Sequence, residues 1–149
     1  ERAGLADAIR DVAAKGVPFL GICLGTQILF ERSEEDGGTD TLGLLRGETV
    51  KFSFAARRVK IPQIGWNQVH FAKKHPLFDG LPDGSDFYFV HSYYVKPRDA
   101  GDVLGTTGYE ESVFTSAVAK DNIAAVQFHP EKSGRAGLKL IDNFLKWEA

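Results

Sequence analysis

The feature that most constrains this chain is a junction. Val17-Pro18-Phe19-Leu20-Gly21-Ile22 is a nearly continuous apolar run, of the kind a strand buried on both faces shows, with proline tolerated near its start. It leads directly into Gly21-Ile22-Cys23-Leu24-Gly25, and a helical stretch is predicted from Leu24 to about Arg32. A strand handing over to a helix at G-x-nucleophile-x-G is the context of a nucleophile elbow. The turn is tight, and residues without Cβ relieve its crowding. Unpaired N–H groups and the dipole at the start of the next helix favour a thiolate and help hold an oxyanion.

The rest of the chain can be built around that junction. Leu5, Ile9 and Val12 fall at helical spacing and Gly16 stands where a C-cap is expected, so residues 2–15 are predicted as an amphipathic helix. Ser33–Leu42, rich in Glu, Asp, Gly and Thr, reads as a loop. Strand-like pieces follow at Glu48–Phe54, Gly65–Phe71, Asp86–His91 and Asp102–Tyr109. Ser112–Ala119 and Ile123–Phe128 flank Lys120-Asp121-Asn122 and should pair antiparallel, because Asp and Asn tolerate the left-handed conformations of a hairpin turn. Gly134–Trp147 is predicted as a helix whose apolar face carries Leu138, Ile141, Phe144 and Leu145.

This order predicts an α/β sheet with an antiparallel extension, covered by helices. No repeat, low-complexity tract or linker interrupts it, and 149 residues suit one ordinary domain, so 1–149 is read as a single domain. With 43% apolar residues, including eleven Phe, the chain has the material for a packed core. A net charge of −2 is too balanced to supply the basic field that nucleic acid or an anionic membrane demands. The charged start, Glu1 to Arg10, is unlike a secretory signal, and no apolar run approaches a membrane span. A soluble, cytoplasmic protein is expected. The chain has no methionine, from which a trimmed piece of a longer polypeptide is expected.

Cys23 is the single cysteine, either a small buried hydrophobe or a nucleophile. A nucleophile needs a base. Of His70, His75, His91 and His129, the last stands out, in Gln127-Phe128-His129-Pro130-Glu131. In an extended segment positions i and i+2 share a side, so Glu131 can orient the imidazole while Pro130 stiffens the backbone. Taken alone, His129 and Glu131 would read as an exposed polar strand end rather than as catalytic; the elbow reverses that reading. The scattered histidines with one cysteine show no metal-ligand spacing, so neither a metal nor another cofactor is expected. His75 before Pro76 reads as a turn residue.

The cysteine elbow with His-Pro-Glu resembles the class I glutamine amidotransferases. That resemblance implies a three-layer sandwich of flavodoxin type with a mixed, largely parallel central sheet, whose N-terminal strands this chain would lack. It also implies a Cys23-His129-Glu131 triad that hydrolyses glutamine to glutamate and ammonia. Pro18 to Gln27, Ile64-Gly65-Trp66-Asn67, Phe89 to Val95 (with His91-Ser92-Tyr93-Tyr94) and Gln127 to Gly134 narrow the likeness to the glutaminase subunits of imidazole glycerol phosphate synthases.

By that likeness Gln27 and Glu35 bind L-glutamine, Ser92 and Tyr93 lie beside its α-carboxylate, and the Leu24 N–H belongs to the oxyanion hole. Trp66 and Lys132 would face a (βα)8-barrel cyclase subunit that forms a heterodimer with the chain and receives the ammonia for histidine biosynthesis. A solvated helix face, a loop charge run, a strand end and, for Trp66, a core position are the plainer readings of these residues. Thr26 stands where many relatives have methionine. Members of the family carry further N-terminal residues with a loop that supplies part of the oxyanion hole. Two alternatives stay open: an amidotransferase serving anthranilate or purine synthesis, and a non-catalytic glutaminase-like scaffold.

Overall fold

The computed structural model describes residues 4–55 and 59–149, so residues 2 and 3 of the expected first helix lie outside it. Helix α1 spans Leu5–Ala14 and leads into strand β1, Phe19–Ile22, and then into the one-turn helix α2, Leu24–Gln27. Short strands β2 (Arg32–Ser33) and β3 (Thr39–Asp40) precede β4 (Gly47–Lys51). Then come β5 (Gln63–Phe71), β6 (Ser85–His91), β7 (Tyr93–Pro97), β8 (Val103–Tyr109), β9 (Ser112–Lys120) and β10 (Ile123–Val126). Helix α3, Gly134–Leu145, ends the fold.

The sheet runs β3-β2-β4-β7-β9-β8-β5-β6, with β10 joined to β9 and β1 to β10. It is mixed, as expected, but the balance differs from a largely parallel sheet. Only β1–β10 and β2–β4 are parallel among the described residues; the other pairings are antiparallel. The cause lies in the connections: a parallel pair needs a crossover of a dozen or more residues, whereas β8 to β9 and β9 to β10 are joined by two-residue turns. The β9–β10 hairpin pairs as predicted, Val126 with Ala117 and Ala124 with Ala119, with Asp121 at φ 51° in its turn.

Side chains alternate along β10 and divide the core in two. Ala124 and Val126 face a phenylalanine-rich cluster with Phe87, Phe89, Phe114 and Phe128, against which Ala136, Leu140 and Phe144 of the α3 region pack. Ile123 and Ala125 face the other side, with Leu29, Phe30, Leu45 and Ala13 of α1. Helices therefore cover both faces of this part of the sheet. The strand buried on both faces is β10, buried along its whole length, whereas β1 has one sheet neighbour among the described residues and Phe19, Leu20 and Ile22 are only half-buried.

Two helices depart from expectation. Helix α2 stops at Gln27 because the carbonyls of Ile28, Leu29 and Phe30 accept N–H groups from Leu42 to Leu45, which pulls that stretch out of the helix and buries Leu29 and Phe30 completely. In α3, Leu138 and Leu145 are 64% and 76% exposed, and the buried residues are Gly137, Leu140 and Asn143. The buried face is set by fit: Gly137 lies against the Pro130 carbonyl, and Asn143 Nδ2 donates to Leu77 O at 3.0 Å and Asp79 O at 2.8 Å. No helix among the described residues is long and apolar enough to cross a membrane.

Candidate active site

Cys23 sits between β1 and α2 with φ 51° and ψ −104°, a region a side chain enters only where its surroundings enforce it. The enforcement comes from β10. The Val126 carbonyl accepts the Cys23 N–H at 2.9 Å and the Thr26 hydroxyl at 2.6 Å. Gly21 is needed for this closeness, since a Cβ there would meet Gly25 O at 2.9 Å and Ala125 Cβ at 3.0 Å. Gly25 is different: a Cβ on it would meet nothing within 4 Å, so crowding explains only the first glycine of the motif.

Burial pushes the Cys23 thiol above its ordinary pKa; N–H groups of Leu24 and Gln127 pull the other way, while Glu131 raises it and Lys132 lowers it. The resting thiol is thus protonated at neutral pH and needs a base. With α2 a single turn, its dipole is slight, and the directed Leu24 N–H is what remains of the helix-start effect. The sulfur lies 3.9 Å from Val90 O, to which it donates, and 3.7 Å from Gln127 Nε2, which donates to it.

The candidate base follows β10. Phe128 is fully buried, its ring stacked on Phe87 at 4.1 Å, and the His129 N–H donates to Tyr88 O at 2.8 Å. His129 Nδ1 and Glu131 Oε1 are 2.7 Å apart, so the sequence-predicted pair is brought together. The means differ from an extended strand: Pro130–Lys132 form a single 3-10 turn, begun by proline at its favoured first position. With Nδ1–H donating to the carboxylate, Nε2 carries the lone pair. That Nε2 is buried and has no hydrogen-bond partner among the described residues, an uncommon state for a buried ring nitrogen.

Cys23, Leu24, Gln27, Glu35, Ser92 and Tyr93 line one cleft of about 340 Å³ together with Pro62, Val90 and His91, so the sequence-predicted substrate residues converge on Cys23. Glu35 is exposed at its edge. Gln27 is 6% exposed and its amide is engaged internally, Nε2 donating to Tyr93 O at 3.0 Å and Gln127 Oε1 at 3.2 Å. Trp66, 58% exposed and edge-on to Tyr88 at 6.0 Å, and Lys132, also exposed, lie outside the cleft. Trp66 is therefore a surface residue and not a core one. His75 does cap a turn, its Nδ1 accepting the Leu77 N–H at 3.1 Å.

Sequence reasoning singled out neither Gln127, Gln63 nor the environment of His91. Gln127 stood inside a motif whose other members drew attention, and an amide's role depends on what it faces. His91 is 5% exposed, with Nδ1 at 2.8 Å from Tyr93 O and Nε2 at 2.9 Å from the Gln63 side chain. Burial holds its pKa down at about 4, against the Tyr93 carbonyl that favours the charged ring, and His129 adds to the depression.

A depressed pKa contributes stability that is present above the unfolded value near 6.5 and is lost as pH falls through about 4. The span corresponds to about 3 kcal/mol. Urea unfolding of a His91→Asn variant should therefore show a stability curve flatter than the parent's by about that amount between pH 7 and 4; parallel curves would contradict this account of His91.

The family model for glutamine amidotransferase class-I matches residues 1–147. The imidazole glycerol phosphate synthase subunit HisH of Thermococcus kodakarensis is 55% identical over 148 residues, covering 96% of this chain and 71% of that protein. The protein of the same name from Methylococcus capsulatus is 52% identical over 150 residues, covering 97% and 68%. Among solved structures, a glutamine amidotransferase from Thermotoga maritima superposes with a TM-score of 0.64 at 20% identity, over 95% of this chain and 52% of that one; this likeness concerns the fold. By sequence and by fold, the chain belongs to the class I glutamine amidotransferases, a family of glutaminase enzymes, in the group of imidazole glycerol phosphate synthase HisH subunits.

Proposed function

We propose that the chain hydrolyses L-glutamine through Cys23, His129 and Glu131, and that the ammonia passes to a (βα)8-barrel cyclase subunit for histidine biosynthesis. The observation that carries this reading is the buried, unpartnered Nε2 of His129, whose Nδ1 is held by Glu131 at 2.7 Å, in a segment anchored beside the elbow of Cys23.

In the proposed reaction His129 Nε2 takes the Cys23 proton, and the thiolate adds to the side-chain carbonyl carbon of glutamine. The Leu24 N–H faces the developing oxyanion. Protonated His129 then gives its proton to the amide nitrogen, the C–N bond breaks, ammonia leaves, and a γ-glutamyl thioester remains on Cys23. Water, deprotonated by His129, adds to the thioester, and glutamate departs as the thiol is restored. Glu131 keeps Nδ1 protonated and the ring aimed throughout. At the substrate's other end, Glu35 supplies charge for the α-ammonium, and Ser92 and Tyr93 polar groups for the α-carboxylate.

Gln27 contributes to the glutamine site as part of its wall. Trp66 and Lys132 provide an exposed aromatic and a cation for the cyclase, residue types suited to an intersubunit contact. Treatment with a diazoketone analogue of glutamine, with the cyclase present, should add one label per chain, on Cys23 by peptide mass mapping, and glutamine should protect. Label elsewhere, or none, would refute the assignment.

A further inference from the structure

Behind the nucleophile runs a chain of uncharged groups that the reaction as written does not use. Gln127 is fully buried, and its backbone N–H is fixed to Ser116 O at 2.8 Å. Its side-chain Nε2 donates to Cys23 Sγ at 3.7 Å and its Oε1 accepts from Gln27 Nε2 at 3.2 Å. The same Gln27 nitrogen donates its second hydrogen to Tyr93 O at 3.0 Å, a carbonyl that also receives His91 Nδ1–H at 2.8 Å. His91 Nε2 in turn lies 2.9 Å from Gln63 Oε1.

This arrangement fixes a direction. A primary amide has a donor end and an acceptor end. Turning Gln127 over would set its NH2 against the NH2 of Gln27 and its oxygen against the sulfur. The first contact is repulsive at rest, and the second becomes so once the sulfur is a thiolate. Gln27 cannot turn either, because the Tyr93 carbonyl can only accept. The donor end of Gln127 is therefore held towards sulfur. A thiolate accepts such a bond far better than a thiol, so the contact strengthens as the proton leaves.

We propose that Gln127 is a positioning residue of the glutaminase reaction, aiming and stabilising the Cys23 thiolate through an N–H whose orientation Gln27 dictates. The inference rests on Cys23 being the nucleophile. Among the described residues, the titratable and charged groups around the sulfur are His129, Glu131 and Lys132 on the segment after β10, His91 at the end of β6, and Tyr93 and Glu35 in the cleft; of the described residues, only Gln127 and the Leu24 N–H donate to it without a charge of their own.

The test is the pH profile of Cys23 alkylation by iodoacetamide, read by mass on the intact chain, with steady-state kinetics alongside. Gln127→Leu should raise the alkylation midpoint by about one pH unit, so that labelling at pH 8 slows about tenfold, and kcat should fall with KM little changed. Gln127→Glu keeps the acceptor for Gln27 but sets a carboxylate oxygen against sulfur, and its midpoint should rise further. Gln27→Leu leaves the Gln127 amide in place but unlocks it, and should shift the midpoint the same way by less; it reads the proposal even if the Gln127 variants do not fold. Unshifted midpoints in the folded variants overturn the inference. Glutamate release that survives Cys23→Ala would instead overturn the proposed function, leaving the alkylation shifts still measurable.

Discussion

Cys23→Ala is expected to abolish glutamate release, by about 10⁴-fold or more, while the protein stays folded. The loss is large because every bond-making step in the proposed cycle runs through sulfur. Without it, the His129 base can at best activate water against an amide, and what remains is binding and the Leu24 N–H. The fold should tolerate the change. Alanine keeps the Cys23 backbone N–H on the Val126 carbonyl, and the sulfur is only half-buried, with two long contacts at 3.9 and 3.7 Å. Glutamate release measured with the cyclase and its nucleotide ligand, beside a thermal unfolding curve, checks both halves. Undiminished release would remove Cys23 from the mechanism.

The second large effect is expected far from any reacting atom. Gly137, buried in α3, is packed so tightly that a Cβ would overlap the Pro130 carbonyl and reach Ser133 Cβ at 2.8 Å. Pro130 joins His129 to Glu131. The helix cannot retreat, because Leu140 is fully buried and Asn143 is bonded to two carbonyls. Gly137→Ala must therefore shift the turn. An ångström of misplacement at a catalytic group can cost about 10²-fold, and overpacking of this kind costs about 1–3 kcal/mol of stability. The expected result is a kcat lowered about a hundredfold with a lower Tm, while Cys23 still reacts with iodoacetamide. A variant with parental kcat would show that the turn is not what α3 positions.

Much of the site was legible in the sequence because its chemistry is local. Gly21 to Gly25 and His129 to Glu131 each lie within a few residues, and the elbow and the imidazole–carboxylate pair follow from residue types at short spacing. The pieces that escaped are long-range. The run from Ser85 to Pro97 divides at Ser92, whose carbonyl accepts the Phe52 N–H at 3.0 Å. That bond marks where the chain leaves β5 as partner and takes up β4, and no periodicity records the exchange. Helix α2 ends early because of hydrogen bonds from residues 42–45. Gln27 and Gln127 are a hundred positions apart, and nothing in either one's neighbours announces the other. The buried face of α3 differs from the expected one because hydrophobicity favours Leu138 and Leu145, whereas fit selects a glycine and an asparagine.

The Val126 carbonyl, which holds both the Cys23 N–H and the Thr26 hydroxyl, bears on how the molecule is made. Its two partners lie about a hundred residues earlier in the chain, so the elbow is locked only after the largest loop in this part of the fold has closed. Loop closure grows in cost with length, and distant strand pairings form late. A growing chain therefore carries Cys23 as an ordinary cysteine through synthesis. Its elbow geometry is set only when β10 docks in register beside β1, Ile22 against Val126, which makes the backbone conformation at Cys23 a mark of completed folding.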